Sequence, residues 1–148
     1  MNLVLTSHAP EREFATRLLK PENAAVVKSW IKAPDVGFYK IEYSYQDPSG
    51  GGTKRGTFNP DFFMLLQNGD RVVVEIKADD DHSAANAGKL KYAGDHFVEV
   101  NAQLAKAGFS GRYCFHFVSP TDYDQFFEAM RVGTIGTFVS TLQAALRP

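Results

Sequence analysis

Asp61, Glu75 and Lys77 are the residues whose types and spacing could carry chemistry. Glu75 and Lys77 close the run Val72-Val73-Val74-Glu75-Ile76-Lys77, where burial excludes charge unless it is paired or used. Asp61 follows Asn59-Pro60 and opens the preceding apolar run. An acid-x-Lys triplet alone arises by chance, and its place at the end of a valine strand is what makes this one informative. Two neighbouring carboxylates repel, and a divalent cation resolves the repulsion. Hard carboxylate oxygens favour Mg²⁺ or Mn²⁺, which keep positions open for water and phosphate. A metal held there would activate water and stabilise a pentavalent phosphate, while Lys77 holds the attacking water or screens charge. The competing reading is a buried salt-bridge cluster of Asp61, Glu75 and Lys77 with no chemistry.

The turn between the two apolar runs, 61–67 and 71–78, decides whether these groups can meet. Asn68-Gly69-Asp70 separates the runs, and Asn-Gly between apolar runs signals a hairpin. A two-residue turn would place Asp61 opposite Ile76, with its side chain on the other face of the sheet from Glu75 and Lys77. A three-residue loop, Asn68-Gly69-Asp70, places Asp61 opposite Lys77 and Phe63 opposite Glu75, so that all three charged groups share one face. Gly69 suits the left-handed position of such a bulged loop. The catalytic reading therefore requires the bulged register.

The elements that must position these residues form a short series. Ser7 is placed to cap a helix that has Pro10 in its first turn and continues to about Lys20, with Phe14, Leu18 and Leu19 apolar. Residues 26–32 fit helix and strand equally. Residues 38–45 alternate as a strand, and the segment from Asp47 to Thr57, with Pro48 and Gly50-Gly51-Gly52, reads as a mobile loop. A long helix is expected from about Ser83 to Ala107, ended by Gly108, then a strand over 112–118. Thr121 can cap a helix through Met130, and 137–146 reads as a last amphipathic helix. This order predicts an α/β fold, a mixed central sheet flanked by helices.

Composition bounds the function. The chain has 148 residues, enough for a single domain, residues 1–148, with its own core. Cys114 is the one cysteine, which excludes an internal disulfide; within Tyr113-Cys114-Phe115 it reads as core. No apolar stretch approaches the roughly 20 residues of a membrane span, and the N-terminus does not read as a signal peptide, so a cytoplasmic location is expected. Net charge is −1, which gives little of the Lys and Arg surplus that binds phosphates non-specifically. If the chain cuts DNA, a partner is expected to hold it.

Pro60-Asp61 followed by Glu75-Ile76-Lys77 at the end of a valine strand resembles the PD-(D/E)xK nuclease superfamily. The likeness covers roughly residues 7–118. It implies a restriction-endonuclease-like core and a Mg²⁺- or Mn²⁺-dependent DNA endonuclease that leaves 5′-phosphate ends. It further implies metal ligation by Asp61, Glu75 and the Ile76 carbonyl, with Lys77 on the water. An acidic residue of the first helix often completes the site in that superfamily; Pro10-Glu11-Arg12-Glu13-Phe14 matches that element and points to Glu11, with Glu13 as the alternative. Within the superfamily, Tyr43 and Asn59-Pro60-Asp61-Phe62-Phe63 look most like nuclease domains joined to helicase subunits of type III restriction systems. Transposon-end-cleaving relatives share a similar pattern. The implied partners are DNA and a helicase or translocase domain or subunit; a homodimer enclosing the DNA is the alternative, and RNA is not excluded. A catalytically silent nucleic-acid-binding or assembly module of the same fold is the rival from another class.

Other residues carry weaker signals. Lys89, Tyr92 and His96 share one face of the long helix. The resemblance suggests that this helix supplies a polar side chain to the phosphate, Lys89 first and Tyr92 next, against the alternative of a solvated face. Lys54 and Arg55 could clamp a backbone phosphate or be surface charges. The chain departs from the family pattern at Ala78-Asp79-Asp80-Asp81-His82, where relatives often place glycine. Asp79 or His82 could add a metal ligand, although a solvated loop favouring the next helix N-terminus is the plainer reading. His116, inside an apolar strand, is expected to be a satisfied core histidine.

Overall fold

Proline lacks an amide hydrogen and has its φ fixed, which suits a first helical turn, and α1 runs Ala9–Leu18 with Pro10 in that turn. Glu11, Phe14, Ala15 and Leu18 are its buried residues, at three- and four-residue spacings that make one inward face. The computed structural model describes residues 8–147, so the cap expected at Ser7 lies outside the described residues. A short helix, α2 (Pro21–Ala24), leads into β1 (Val27–Lys32). Of the ambiguous 26–32 segment, Val27–Lys32 is thus a strand, and it pairs antiparallel with β4 (Phe62–Leu66).

The expectation of a mobile loop over 47–57 is corrected. Only its first part turns: β2 (Ile41–Gln46) and β3 (Thr53–Phe58) pair antiparallel as a separate two-stranded sheet. Asp47 organises the turn by accepting the Ser49 amide and pairing with Lys54, while Gly50 and Gly52 take positive φ. Gly56 sits in β3 beneath the Tyr43 ring, where a Cβ would come within 2.9 Å of the ring atoms.

The main sheet runs β1-β4-β5-β6, with β5 at Arg71–Ile76 and β6 at Tyr113–Val118. β4 and β5 are antiparallel and β5 and β6 parallel, so the sheet is mixed. The crossover between the parallel strands is α3 (Ala84–Lys106), capped by the Ser83 hydroxyl on the Asn86 amide. One face of the sheet, through Phe62, Met64, Val72, Val74 and Ile76, packs on α1 and on Tyr123, Phe126 and Met130 of α4 (Tyr123–Val132). The other, through Val73 and Phe63, packs with Ile41, Phe58, Ala93 and Phe97 of the β2–β3 hairpin and α3. The molecule is α/β, a mixed sheet flanked by helices.

Two ends differ from expectation. Thr121 does not cap α4: Pro120–Asp122 form a 3₁₀ turn and Asp122 holds the cap position. The last helix, α5 (Thr141–Leu146), is shorter than 137–146, because Ser140 and Gln143 form a capping box that starts it and Ile135–Thr137 form a separate 3₁₀ turn. Among the described residues no helix is long and apolar enough to cross a membrane.

Hairpin register is where the site is decided. Phe62 pairs with Val74 and Phe63 with Val73, and the Leu66 amide donates to the Asp70 carbonyl at 2.8 Å. The loop therefore has three residues, Gln67-Asn68-Gly69, one position earlier than Asn68-Gly69-Asp70. Gly69, at φ 92°, supplies the left-handed residue that ends it. Asp70 is drawn out of the loop by its own amide, which donates to the Asn68 side chain, and by its carboxylate, which accepts the Arg112 amide. The slide moves the register by two; the ladder ends at Phe62–Val74, and Asp61, one residue before it, donates its amide to the Val74 carbonyl at 2.9 Å instead of continuing the regular pairing.

Candidate functional site

Glu75 lies in a central strand flanked by β4 and β6 and is 3% exposed. Its Oε1 pairs with Lys77 Nζ at 2.8 Å and lies 4.0 Å from Lys89 Nζ. Its Oε2 is buried without a hydrogen-bond partner among the described residues. Burial pushes the Glu75 carboxyl up to about 7, and the nearby Asp61 charge adds to the rise against the pull of Lys77.

Asp61 is fixed from three directions. Its amide donates to the Val74 carbonyl at 2.9 Å, its carbonyl accepts the Ala33 amide at 2.7 Å, and its Oδ2 accepts the Ile76 amide at 2.7 Å. A carboxylate tied to the amide beside Glu75 cannot swing away. Burial raises the Asp61 carboxyl above its ordinary value; the Ile76 amide opposes the rise and the Glu11 charge reinforces it. Ile76 is buried, and its carbonyl belongs to the same three-residue segment as the Glu75 and Lys77 side chains. Burial disfavours the Lys77 charge, yet Glu75 outweighs it and raises the amine above its usual value.

The first helix brings Glu11, 6% exposed, to this end of the sheet. Glu13 instead pairs with Arg17 at 2.9 Å on the outer side of α1, which separates the two alternatives. Lys32, which sequence reasoning missed, closes the arrangement: its Nζ lies 3.4 Å from Glu11 Oε2 and 3.6 Å from Asp61 Oδ1. Glu11 Oε2 makes no geometrically sound hydrogen bond despite that proximity. A lone lysine ending a segment of ambiguous type gives no local signal, and only the β1–β4 pairing carries it to Asp61.

The remaining candidates separate. Lys89 stands over the Tyr43 and Phe58 rings and faces Glu75; burial, then the Lys77 charge, lowers its pKa. Tyr92 shares a 2.6 Å hydrogen bond with Ser44, and His96 one of 2.5 Å with Tyr39, so both fasten α3 to the segment around β2 instead of joining the carboxylates. Lys54 is the turn clamp on Asp47, whose carboxyl it holds well below the usual range, and Arg55 is exposed on β3. Asp79 turns to accept the Thr121 amide, and His82 is exposed. Asp81 favours the charged forms of Lys77 and Lys89. His116 is buried against Phe126 and Phe138, and burial pushes it down to about 4, so it is a neutral core histidine. Burial raises the Cys114 thiol.

Among the described residues no group of three or more His, Cys, Asp and Glu side chains is gathered closely enough to hold a metal ion. The four-ligand set expected from the sequence is thus not assembled, because Lys32 takes the place beside Glu11 and Asp61. Mg²⁺ needs less from a protein: one or two carboxylates, with water and substrate phosphate completing its octahedron. Two carboxylate oxygens of this end of the sheet, Glu11 Oε2 and Glu75 Oε2, are buried without a hydrogen-bond partner among the described residues. Comparison with protein-family models, with curated proteins and with solved structures returned no match.

Proposed function

We propose that this chain is a divalent-metal-dependent phosphodiesterase acting on DNA, with a restriction-endonuclease-like core of the PD-(D/E)xK type. The observation that carries the reading is Glu75: a buried carboxylate with one free oxygen, held near a second carboxylate and flanked by two lysines. A structural ion pair gains nothing from an unpartnered buried oxygen, which costs stability unless it is used. Asp61 and Glu75 would hold Mg²⁺ or Mn²⁺ with the Ile76 carbonyl. Bound there, the ion supplies Lewis-acid polarisation of a phosphoryl oxygen and a more acidic water.

The chain's own residues do the rest. Lys77 orients the attacking water and screens charge as it develops. Lys89, its charge weakened by burial, meets a phosphate oxygen on the α3 side. Glu11 acts through Lys32 rather than on the substrate. Three carboxylates (Glu11, Asp61, Glu75) against three lysines (Lys32, Lys77, Lys89) leave the ionised site neutral. A divalent ion makes it positive, and so attractive to a phosphodiester. With a net charge of −1 the chain has little to hold DNA elsewhere, which favours a helicase or translocase partner on the same or another chain.

The same charge balance favours a second reading, a silent nucleic-acid-binding or assembly module, because every carboxylate already has a lysine. Cleavage of end-labelled duplex DNA, at high protein concentration and low salt, separates the two. The nuclease reading expects cutting with Mg²⁺ or Mn²⁺, none with Ca²⁺, and none from Asp61→Asn or Glu75→Gln. No cutting by the unaltered chain favours the second reading, and cutting that survives both substitutions overturns the roles given to Asp61 and Glu75.

A further inference from the structure

We infer that Lys32 stands in for a second divalent cation, so that the site takes one metal ion and Glu11 is a positioning residue for Lys32 rather than a metal ligand. This rests on the metal-dependent reading above. In two-metal sites the ions lie about 3.5–4 Å apart and share carboxylates that would otherwise repel. Here one such pair, Glu11 and Asp61, already shares a cation, because Lys32 Nζ lies 3.4 Å from one and 3.6 Å from the other. The amine is built in. Its side chain is only 8% exposed, it donates to the Ala33 carbonyl at 3.0 Å, and it lies 5.8 Å from the centre of the Phe62 ring.

Glu75 contrasts with this. Its lysines gather on Oε1, leaving Oε2 buried and without a partner. Glu11 Oε2 likewise lacks a hydrogen-bond partner, so the two ends differ in where the cation sits: between Glu11 and Asp61 an ammonium of the chain lies within reach of both carboxylates, whereas at Glu75 both lysines lie on Oε1 alone. A second divalent ion at the Glu11 end would lie against the Lys32 amine and face its charge. Asp35 Oδ1, 3.9 Å from Nζ on an exposed side chain, adds a further hold on the lysine from the solvent side.

Mn²⁺ titration of the intact chain without DNA, read by calorimetry and by electron paramagnetic resonance, tests the assignment independently of activity. The unaltered chain is expected to bind one Mn²⁺. Glu11→Gln should also bind one, with a Kd within about threefold of the unaltered value, a free-energy change of about RT. Lys32→Met keeps the stem without the charge and should acquire a second Mn²⁺, which the double variant Lys32→Met/Glu11→Gln loses again. Two ions in the unaltered chain, one ion in Lys32→Met, or loss of binding in Glu11→Gln would each overturn the assignment. If Lys32→Met fails to fold, the unaltered chain and Glu11→Gln still decide it. No Mn²⁺ binding by the unaltered chain would overturn the metal-dependent reading along with the inference, whereas two ions would leave that reading standing.

Discussion

Asp61 accepts the backbone amide of Ile76 at 2.7 Å, which ties the carboxylate at the start of one strand to the peptide that follows Glu75 on the next. The bond crosses the hairpin where its regular ladder ends. It preserves the proximity of two carboxylates that each rise in pKa because of burial and of charge nearby.

Asp61→Asn keeps an oxygen for the Ile76 amide and removes one negative charge, so the metal-free protein should stay folded. The metal response should go. At a metal concentration a hundredfold above Kd, the unaltered chain should gain about 2.7 kcal/mol of stability and the variant almost none. Thermal melting with and without Mg²⁺ measures both. An unchanged metal response would place the ion elsewhere, with the Asp79–His82 segment the next location to test.

Glu75 gives the metal-free protein a characteristic pH dependence. Its pKa rises on folding from an ordinary 4.5 to about 7, so the folded state keeps the proton longer than the unfolded state does. Stability should therefore fall as pH climbs from about 4.5 to about 7, by roughly 3 kcal/mol in all. His116, held down to about 4, works in the opposite direction below its ordinary value, so the comparison must be with Glu75→Gln rather than with a flat line. Denaturant unfolding in EDTA across this range should show the unaltered chain losing ground to Glu75→Gln. Parallel curves would contradict the raised pKa.

Two glycines of α3 should respond oppositely to alanine. Helix propensity alone favours Ala by about 1 kcal/mol at either position. At Gly94 nothing lies within 4 Å of the new Cβ, so Gly94→Ala should stabilise by about that amount. At Gly88 the Cβ would come 2.7 Å from the Ser44 carbonyl oxygen, which is backbone of β2. Gly88→Ala should therefore destabilise, by roughly 1–3 kcal/mol, as overpacking does. Chemical denaturation that finds both variants steadier would contradict the close approach of α3 to β2.

DNA binding by the isolated chain should be weak, with Kd of about 10⁻⁴ M or worse at physiological salt, the weak end of non-specific binding. Cleavage should then rise almost linearly with protein concentration and fall with salt. A tethered DNA-holding partner would raise the effective concentration to about millimolar without altering the site. Submicromolar affinity with rapid Mg²⁺-dependent cutting would refute the dependent module and favour a homodimer enclosing DNA.

What the sequence made legible follows from how local each signal is. Val72–Lys77, Asn68-Gly69 and the long helix announce themselves within a few residues, and the fold class rests on them. The loop length came out as three residues, but placement went astray by one because Asp70 is held by the Arg112 amide, a partner 42 residues away. The ladder stops at Phe62, so its register does not reach Asp61, which the Val74 carbonyl and the Ile76 amide hold instead. β3 was hidden because Pro48 and Gly50-Gly51-Gly52 mark a turn whose end they do not show, and the strand after it carries Gly56, whose place is set by the Tyr43 ring on β2. Lys32 was invisible for a different reason. Its role depends on three elements meeting, α1 through Glu11, the end of β1, and Asp61 before β4, and no short window of sequence contains them.

The central claim is that Asp61 and Glu75 together hold a divalent ion. Anomalous diffraction from crystals soaked in Mn²⁺ tests it most directly. The account expects one peak, about 2.1 Å from an oxygen of each carboxylate, with Lys32 Nζ still beside Glu11. No peak between Asp61 and Glu75 in a soaked crystal, or a peak only at Asp79–His82, would contradict it.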